Sequence, residues 1–342
     1  LERWHARKWG LATDLGGVNT QQTLLEAGIW VSMNDEPESG LNLLQKGLQR
    51  ALVARGAVPV HYQKSALMRR CARVLGKAGL IRPLMRVGSA RVIVPVMWAS
   101  HSTLFSATYF HEVVPFIFDC WPEQFDRWAA LLRLHRVKFA YFSARDAAAC
   151  MAKRVPGLQT CWLPEACDPS RFSAGTPLAS RTIHVLEMGR KHGPVHEALR
   201  AGLTGWKHLY SEKDSSTPIF ETLADLYKGM GDTMVSLCFP KSVTHHANVL
   251  ERVETMTQRY LETIGSGALA VGVCPGELKE LFGFDPVIAL SQTDPAGHIR
   301  AILADVGAYQ EHADRCRVKL GEVGTFEARA QRICETLPGF TA

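Results

Sequence analysis

Short runs of β-branched and aromatic residues alternate with helical patterns along nearly the whole chain, and this alternation limits the fold more than any other feature. Strands are expected at 29–33, 58–62, 92–98, 113–119, 139–143 and 161–163. Helical stretches at 41–54, 66–78, about 102–110, 122–136 and 144–154 separate them. Such alternation builds βαβ units, which require parallel sheets flanked by helices. The pattern breaks at 168–177 into D-P-S-R-F-S-A-G-T-P, a composition suited to a link between domains. A second series follows, with strands at 182–187, 208–210, 234–239, 268–271 and 287–290. Its helices fall near 195–202, 219–229, 254–264 and 277–282, and a long helical tail runs from 296 to 335. Two doubly wound α/β domains facing a cleft are therefore predicted, at 1–172 and 173–342, with ligands beyond the carboxyl ends of the strands.

A length of 342 residues fits two domains, and 46% apolar with 21% charged residues is ordinary for a globular protein. That balance excludes a disordered, collagen-like or disulfide-scaffold chain. The formal net charge of +6 is unevenly spread: residues 1–175 hold 22 Lys+Arg against 13 Asp+Glu, and the remainder 17 against 20. No acidic residue occurs between Glu38 and Glu112, a stretch with eleven Lys and Arg. A basic half favours an anionic partner, whether a membrane surface, a nucleic acid or a phosphorylated substrate. The nine cysteines are scattered without any C-x-x-C, which fits reduced, buried thiols in a cytoplasmic protein. No apolar run reaches the ~18–20 residues of a membrane span, and no charged-then-apolar leader opens the chain.

The most informative segment is 240–272, P-K-S-V-T-H-H-A-N-V-L-E-R-V-E-T-M-T-Q-R-Y-L-E-T-I-G-S-G-A-L-A-V-G. It reads as strand end, polar loop, helix, Gly turn and strand. With a helix over 254–264, Glu254 and Glu262 share one face two turns apart. Thr255 and Thr257 then lie in the first turn, where unpaired N–H groups and the helix dipole favour a phosphate. Alternatively, Glu254 only complements the helix N-terminus and Glu262 is solvated.

This segment resembles the donor-binding region of GT-B glycosyltransferases, particularly the family-4 group with its Glu-x7-Glu motif and bacterial polysaccharide-type relatives with E-T-x-T-Q-R-Y-x-E. The resemblance implies a GT-B architecture of two Rossmann-like domains and a nucleotide-sugar donor. It places Glu254 by the donor sugar's hydroxyls and Glu262 on the ribose, with Gly267 and 268–271 as the turn and strand that follow. Thr255 and Thr257 stand where the family has glycines, and Leu269 where Pro is common. Two more stretches match in order. L-P-E-A-C-D-P-S-R-F at 163–172 resembles the L-P-N-G-V-D-x-x-x-F that closes the first GT-B domain, and E-M-G-R-K at 187–191 resembles the Gly-Arg after the first strand of the second. Arg190 is thereby implied to neutralise the donor pyrophosphate. The family's following Lys has no counterpart at Val195, which leaves Lys191 or Lys241 to substitute, with Arg259 as a further donor contact. GT-B enzymes need no bound metal, and no Asp-x-Asp occurs in the chain. No cofactor is expected beyond the donor itself, a UDP- or GDP-sugar.

On the first domain, Asp119 ends a buried-looking strand and either caps the helix after Pro122 or orients and deprotonates an acceptor hydroxyl. His101 ends the preceding strand and either contacts sugar or is simply exposed. Gly40, in the loop after the first strand, is where GT-B proteins place a turn near the donor phosphates. His245 and His246 are adjacent on a loop without partners at ligand spacing, so no metal site is predicted. Lys64, Arg69, Arg70, Arg73, Lys77, Arg82 and Arg86 interleave with apolar residues. That pattern suits an anionic membrane surface, or a helix packed on its own sheet. Nucleic acid is not expected, since aromatics are few there and no binding module is present. The reading is a retaining glycosyltransferase acting on a glycan or lipid-linked acceptor. A sugar-nucleotide epimerase or a non-catalytic scaffold on the same fold are the alternatives.

Overall fold

The computed structural model describes residues 28–34, 36–39, 42–61, 91–97, 112–172, 176–189, 191–211, 218–244 and 253–337, with positions 67, 70, 71, 74, 75, 78, 99 and 104. Its first half contains β1 (Ile29–Ser32), α1 (Leu43–Ala54), β2 (Val58–Val60), β3 (Arg91–Val96), β4 (Glu112–Ile117), α2 (Phe125–Leu134), β5 (Phe139–Phe142), α3 (Arg145–Arg154) and β6 (Gln159–Trp162). These six strands form one sheet in the order β2-β1-β3-β4-β5-β6, every pair parallel.

Side chains alternate between the two faces of these strands, and both faces are buried, so the runs pack between two helical layers. Val92, Val94 and Val96 face Trp128 and Leu132 of α2 and Met151 of α3. Ile93, on the other face, belongs with Phe116, Tyr141 and the α1 residues Leu48 and Leu52. Proline is unusual inside such a sheet, because it lacks the N–H that a ladder needs. Pro95 lies past the last β1–β3 register pair, Val31 with Ile93, and Pro115 precedes the first β4–β5 pair, Phe116 with Tyr141. Each proline thus sits where one neighbouring strand is missing.

The second half contains β7 (Ile183–Glu187), α4 (Gly193–Gly202), β8 (His208–Tyr210), α5 (Leu223–Gly231), β9 (Thr233–Cys238), α6 (Gln258–Gly265), β10 (Leu269–Gly272), α7 (Gly276–Phe282) and β11 (Ile288–Ala289). Its sheet order is β11-β10-β9-β7-β8, again all parallel. Two parallel doubly wound sheets are what the alternation required. Both reverse winding beside their first strand, between β1 and β3 and between β7 and β9, and such switch points are where ligands bind in this class of sheet.

The expected tail from 296 to 335 resolves into α8 (Pro295–Ala304), α9 (Gln310–Val323) and α10 (Phe326–Thr336), with a 3-10 turn at Val306–Tyr309. Asp294 and Thr325 cap α8 and α10 through their side-chain oxygens. Helix α10 leaves the second sheet and covers the first, where Phe326, Ala330 and Ile333 join the α1 cluster. Close approach is possible because position 47 is glycine: a Cβ there would lie 2.3 Å from the Phe326 ring. The buried Arg329 fastens the helix, its guanidinium donating to the carbonyls of Pro164 (2.7 Å), Glu165 (3.0 Å) and Val323 (2.7 Å).

Candidate active site

Loops from the carboxyl ends of the two sheets meet. After β4, the Trp121 indole donates to Asp119 Oδ1 at 3.2 Å. From the turn after β9, Lys241 reaches across, its Nζ 2.5 Å from Glu123 and 4.3 Å from the Trp121 ring centre. Asp119 is not a helix cap: the first residue before the Pro122 turn is Trp121, and no side chain caps it. The structure therefore brings Asp119 and Lys241 to one interdomain cluster, with Trp121 between them.

The segment around Glu254 departs from expectation. Helix α6 starts at Gln258, with Thr257 as its N-cap residue and no side-chain cap, so Glu254 and Thr255 precede the helix. Glu254 and Glu262 do not share a helical face, and Thr255 is not in the first turn. The physical reason is competition from tertiary partners. The Glu254 N–H donates to Asp146 Oδ2 at 3.1 Å, and its Oε1 accepts from the Gly276 N–H at 2.8 Å. The buried Thr255 hydroxyl lies 3.0 Å from both Glu277 Oε2 and the Met256 carbonyl. Glu277 Oε1 in turn accepts the Arg145 N–H at 2.5 Å, at the start of α3, and Arg145 pairs with Glu280 at 2.7 Å. Glu254 and Glu277 thus each satisfy a backbone donor at a helix start. Burial pushes the Glu277 carboxyl up to about 7, against the hydrogen bonds from Arg145, Thr255 and Met256.

Glu262 is buried inside α6 and ion-paired with Arg259 at 2.9 Å. Burial pushes its carboxyl above the usual range, with the Arg259 charge opposing. It lines a narrow cleft with Gln258, Tyr227, Arg171 and Glu38. Arg171, within the motif at 163–172, joins the domains: it pairs with Glu38 at 2.6 Å, with Asp168 at 3.3 Å, and donates to the Tyr227 hydroxyl at 3.0 Å. Arg50 is a second partner of Glu38 at 3.1 Å. Burial works against ionisation of Glu38, yet the two arginines hold its carboxyl below the usual range.

Lys191 does not line this narrow cleft but lies between β7 and α4, at the carboxyl end of the first strand of the second sheet. Its ammonium donates to the Ser211 carbonyl and lies 4.8 Å from the Tyr210 ring centre. Arg190, Gly40, His101, His245 and His246 lie outside the described residues, as do Lys64, Arg69, Arg73, Lys77, Arg82 and Arg86. Among the described residues, no group of three His, Cys, Asp or Glu is placed to hold a metal ion, and no helix is long and apolar enough to cross a membrane. Sequence reasoning missed Glu38, Trp121, Glu123, Asp146 and Glu277 as cleft residues. Their common signal is position, since each follows the carboxyl end of a strand.

The fold is that of the GT-B class, two parallel doubly wound sheets whose carboxyl ends face each other. No family profile and no curated protein matches the sequence. Among solved structures, the chain is similar to HepE from Anabaena in complex with UDP and glucose, at 11% identity and TM-score 0.56, over 90% of this chain and 98% of that one. A sucrose-phosphate synthase from Thermosynechococcus elongatus gives 12% identity and TM-score 0.59 over the same shares. AviGT4, a glycosyltransferase involved in avilamycin A biosynthesis, gives 14% and 0.53, over 90% of this chain and 96% of its own.

Proposed function

We propose that the protein is a nucleotide-sugar-dependent glycosyltransferase with a UDP- or GDP-sugar donor. The observation that carries this reading is the meeting of two switch-point sheets along one seam, where Glu262 lines a cleft with Arg171 and Glu38 and the Asp119–Trp121 loop meets Lys241. Similarity to HepE, which was solved with UDP-glucose, and to sucrose-phosphate synthase supports it. Glu262 takes the ribose, and Arg259, Lys241 and Lys191 join Arg190 and Thr257 on the diphosphate side. Asp119 orients an acceptor hydroxyl whose oxygen bonds to the anomeric carbon on the face that the diphosphate oxygen leaves, and the departing diphosphate oxygen takes the hydroxyl proton. Fixed cations beside that oxygen stabilise the charge it gains. The stereochemical outcome is retention, and no metal takes part.

The acceptor is a glycan or lipid-linked sugar reached from an anionic membrane surface, where the protein docks peripherally. Leu67 and Val74 are 71% and 59% exposed, and Arg70 is exposed as well, which supports such docking. Thermal-shift titration with UDP, GDP, CMP and dTDP tests the donor class. Stabilisation by UDP or GDP, undiminished by EDTA, is the expected result, and stabilisation by none of the four contradicts the reading.

A further inference from the structure

A buried polar network that the proposed chemistry does not use lies under the switch point of the second sheet. Glu187, the last residue of β7, places one carboxylate oxygen 3.0 Å from His196 Nδ1 and 2.7 Å from His208 Nε2. All three side chains are under 10% exposed. His196 is on the first turns of α4 and His208 opens β8, so one carboxylate ties together the strand before the β7–α4 turn, the helix after it and the neighbouring strand. Leucine-like side chains would fill this space without removing a charge from water, a cost of several kcal/mol per ion in a protein interior. Burial opposes ionisation of Glu187, yet the hydrogen bonds and charges of His208 and His196 hold its carboxyl below the usual range.

The network continues outward to a cation. The rings of His196 and His208 stand 4.9 and 4.8 Å from Tyr210, and the Lys191 ammonium lies 4.8 Å from the centre of that same ring. The next residue in the turn, His192, has its ring 5.5 Å from Phe239 beyond the end of β9, across the switch point from β7. Its Nδ1 is buried and has no hydrogen-bond partner among the described residues. A buried polar atom without a partner is costly, and a bound ligand group is one way to satisfy it.

We propose that Glu187 is a positioning residue for the donor diphosphate: with His196 and His208 it fixes the β7–α4 turn and, through Tyr210, the Lys191 ammonium at the switch point of the second sheet. The inference rests on the donor-binding reading above. It assigns Glu187 no contact with the donor, and its effect is on the diphosphate rather than on the nucleoside.

The test compares a nucleoside diphosphate with its monophosphate, using UDP and UMP, and GDP and GMP, in calorimetric titrations of the whole chain. Glu187→Gln keeps the shape and removes the charge. His208→Leu removes one hydrogen bond, and His208→Gln puts an amide nitrogen near the position of Nε2. In the wild type the diphosphate should bind at least tenfold more tightly than the monophosphate. In Glu187→Gln and His208→Leu that ratio should fall threefold or more, and His208→Gln should restore it. A purely structural role would lower the melting temperature and leave the ratio unchanged in the folded fraction, which would overturn the proposal. If Glu187→Gln does not fold, the His208 pair decides alone. A wild type that binds neither UDP nor GDP would instead remove the donor-binding reading, and the inference with it.

Discussion

Glu277 shows how one side chain couples the seam between the sheets to pH. Its carboxyl rises from an ordinary 4.5 to about 7 because burial, and secondarily the charge of Asp146, disfavour the ionised form. Between these values the folded protein holds more protons on this group than the unfolded chain. Its contribution therefore makes stability fall as pH rises through the window, by about 3 kcal/mol at most. Glu277→Gln keeps an acceptor for the Arg145 N–H and an amide for the Thr255 hydroxyl. The variant should match the wild type in urea midpoint near pH 4.5 and exceed it at pH 8. A wild type whose excess destabilisation at pH 8 persists in the variant would contradict this origin. Gly272 is a second single-residue constraint. Its φ is +148°, and a Cβ there would lie 2.1 Å from the Cys238 carbonyl oxygen, so Gly272→Ala should leave no soluble folded protein on expression.

At the scale of elements, the strands were legible because short, continuous β-branched runs, buried on both faces, have one outcome between helical layers. Val92 to Val96 is the clearest case. The start of α6 was not legible. Nothing local in E-T-M-T-Q-R-Y tells that Asp146, more than a hundred residues earlier, takes the Glu254 N–H, or that Glu277 takes the Thr255 hydroxyl. Glu187 stood in a recognisable motif, but its partners lie nine and twenty-one residues on, beyond any helical or strand period. The tail was visibly helical, yet which sheet α10 covers depends on Arg329 meeting three carbonyls of other segments. Arg329→Met keeps most of the apolar stem and strands those carbonyls, each at roughly 1–3 kcal/mol. We expect a loss of several degrees in melting temperature, with faster amide exchange concentrated in 326–336. Uniform loss of protection along the chain would argue against a local fastening role.

For the whole molecule, the contacts that cross the seam among the described residues include Lys241 with Glu123 and Trp121, Arg145 with Glu277 and Glu280, Glu254 with Asp146, and Arg171 with Glu38 and Tyr227. Half-exposed ion pairs contribute little each, about 0–1 kcal/mol, so the arrangement is one that a ligand's binding energy is able to shift. Arg171 is the pivotal member because it touches a loop of the first sheet and a helix of the second at once. Arg171→Ala should raise the radius of gyration in solution scattering and narrow the change on adding nucleotide, while unchanged scattering would remove Arg171 as a clamp.

The central claim is that the Glu262 wall of the cleft binds the nucleotide of a sugar donor. It is tested most directly by titrating UDP and GDP into the wild type and Glu262→Ala, with circular dichroism confirming that both are folded. The account predicts saturable binding of one nucleotide by the wild type and at least a tenfold weaker affinity in the variant. Equal affinity in two folded proteins would contradict it.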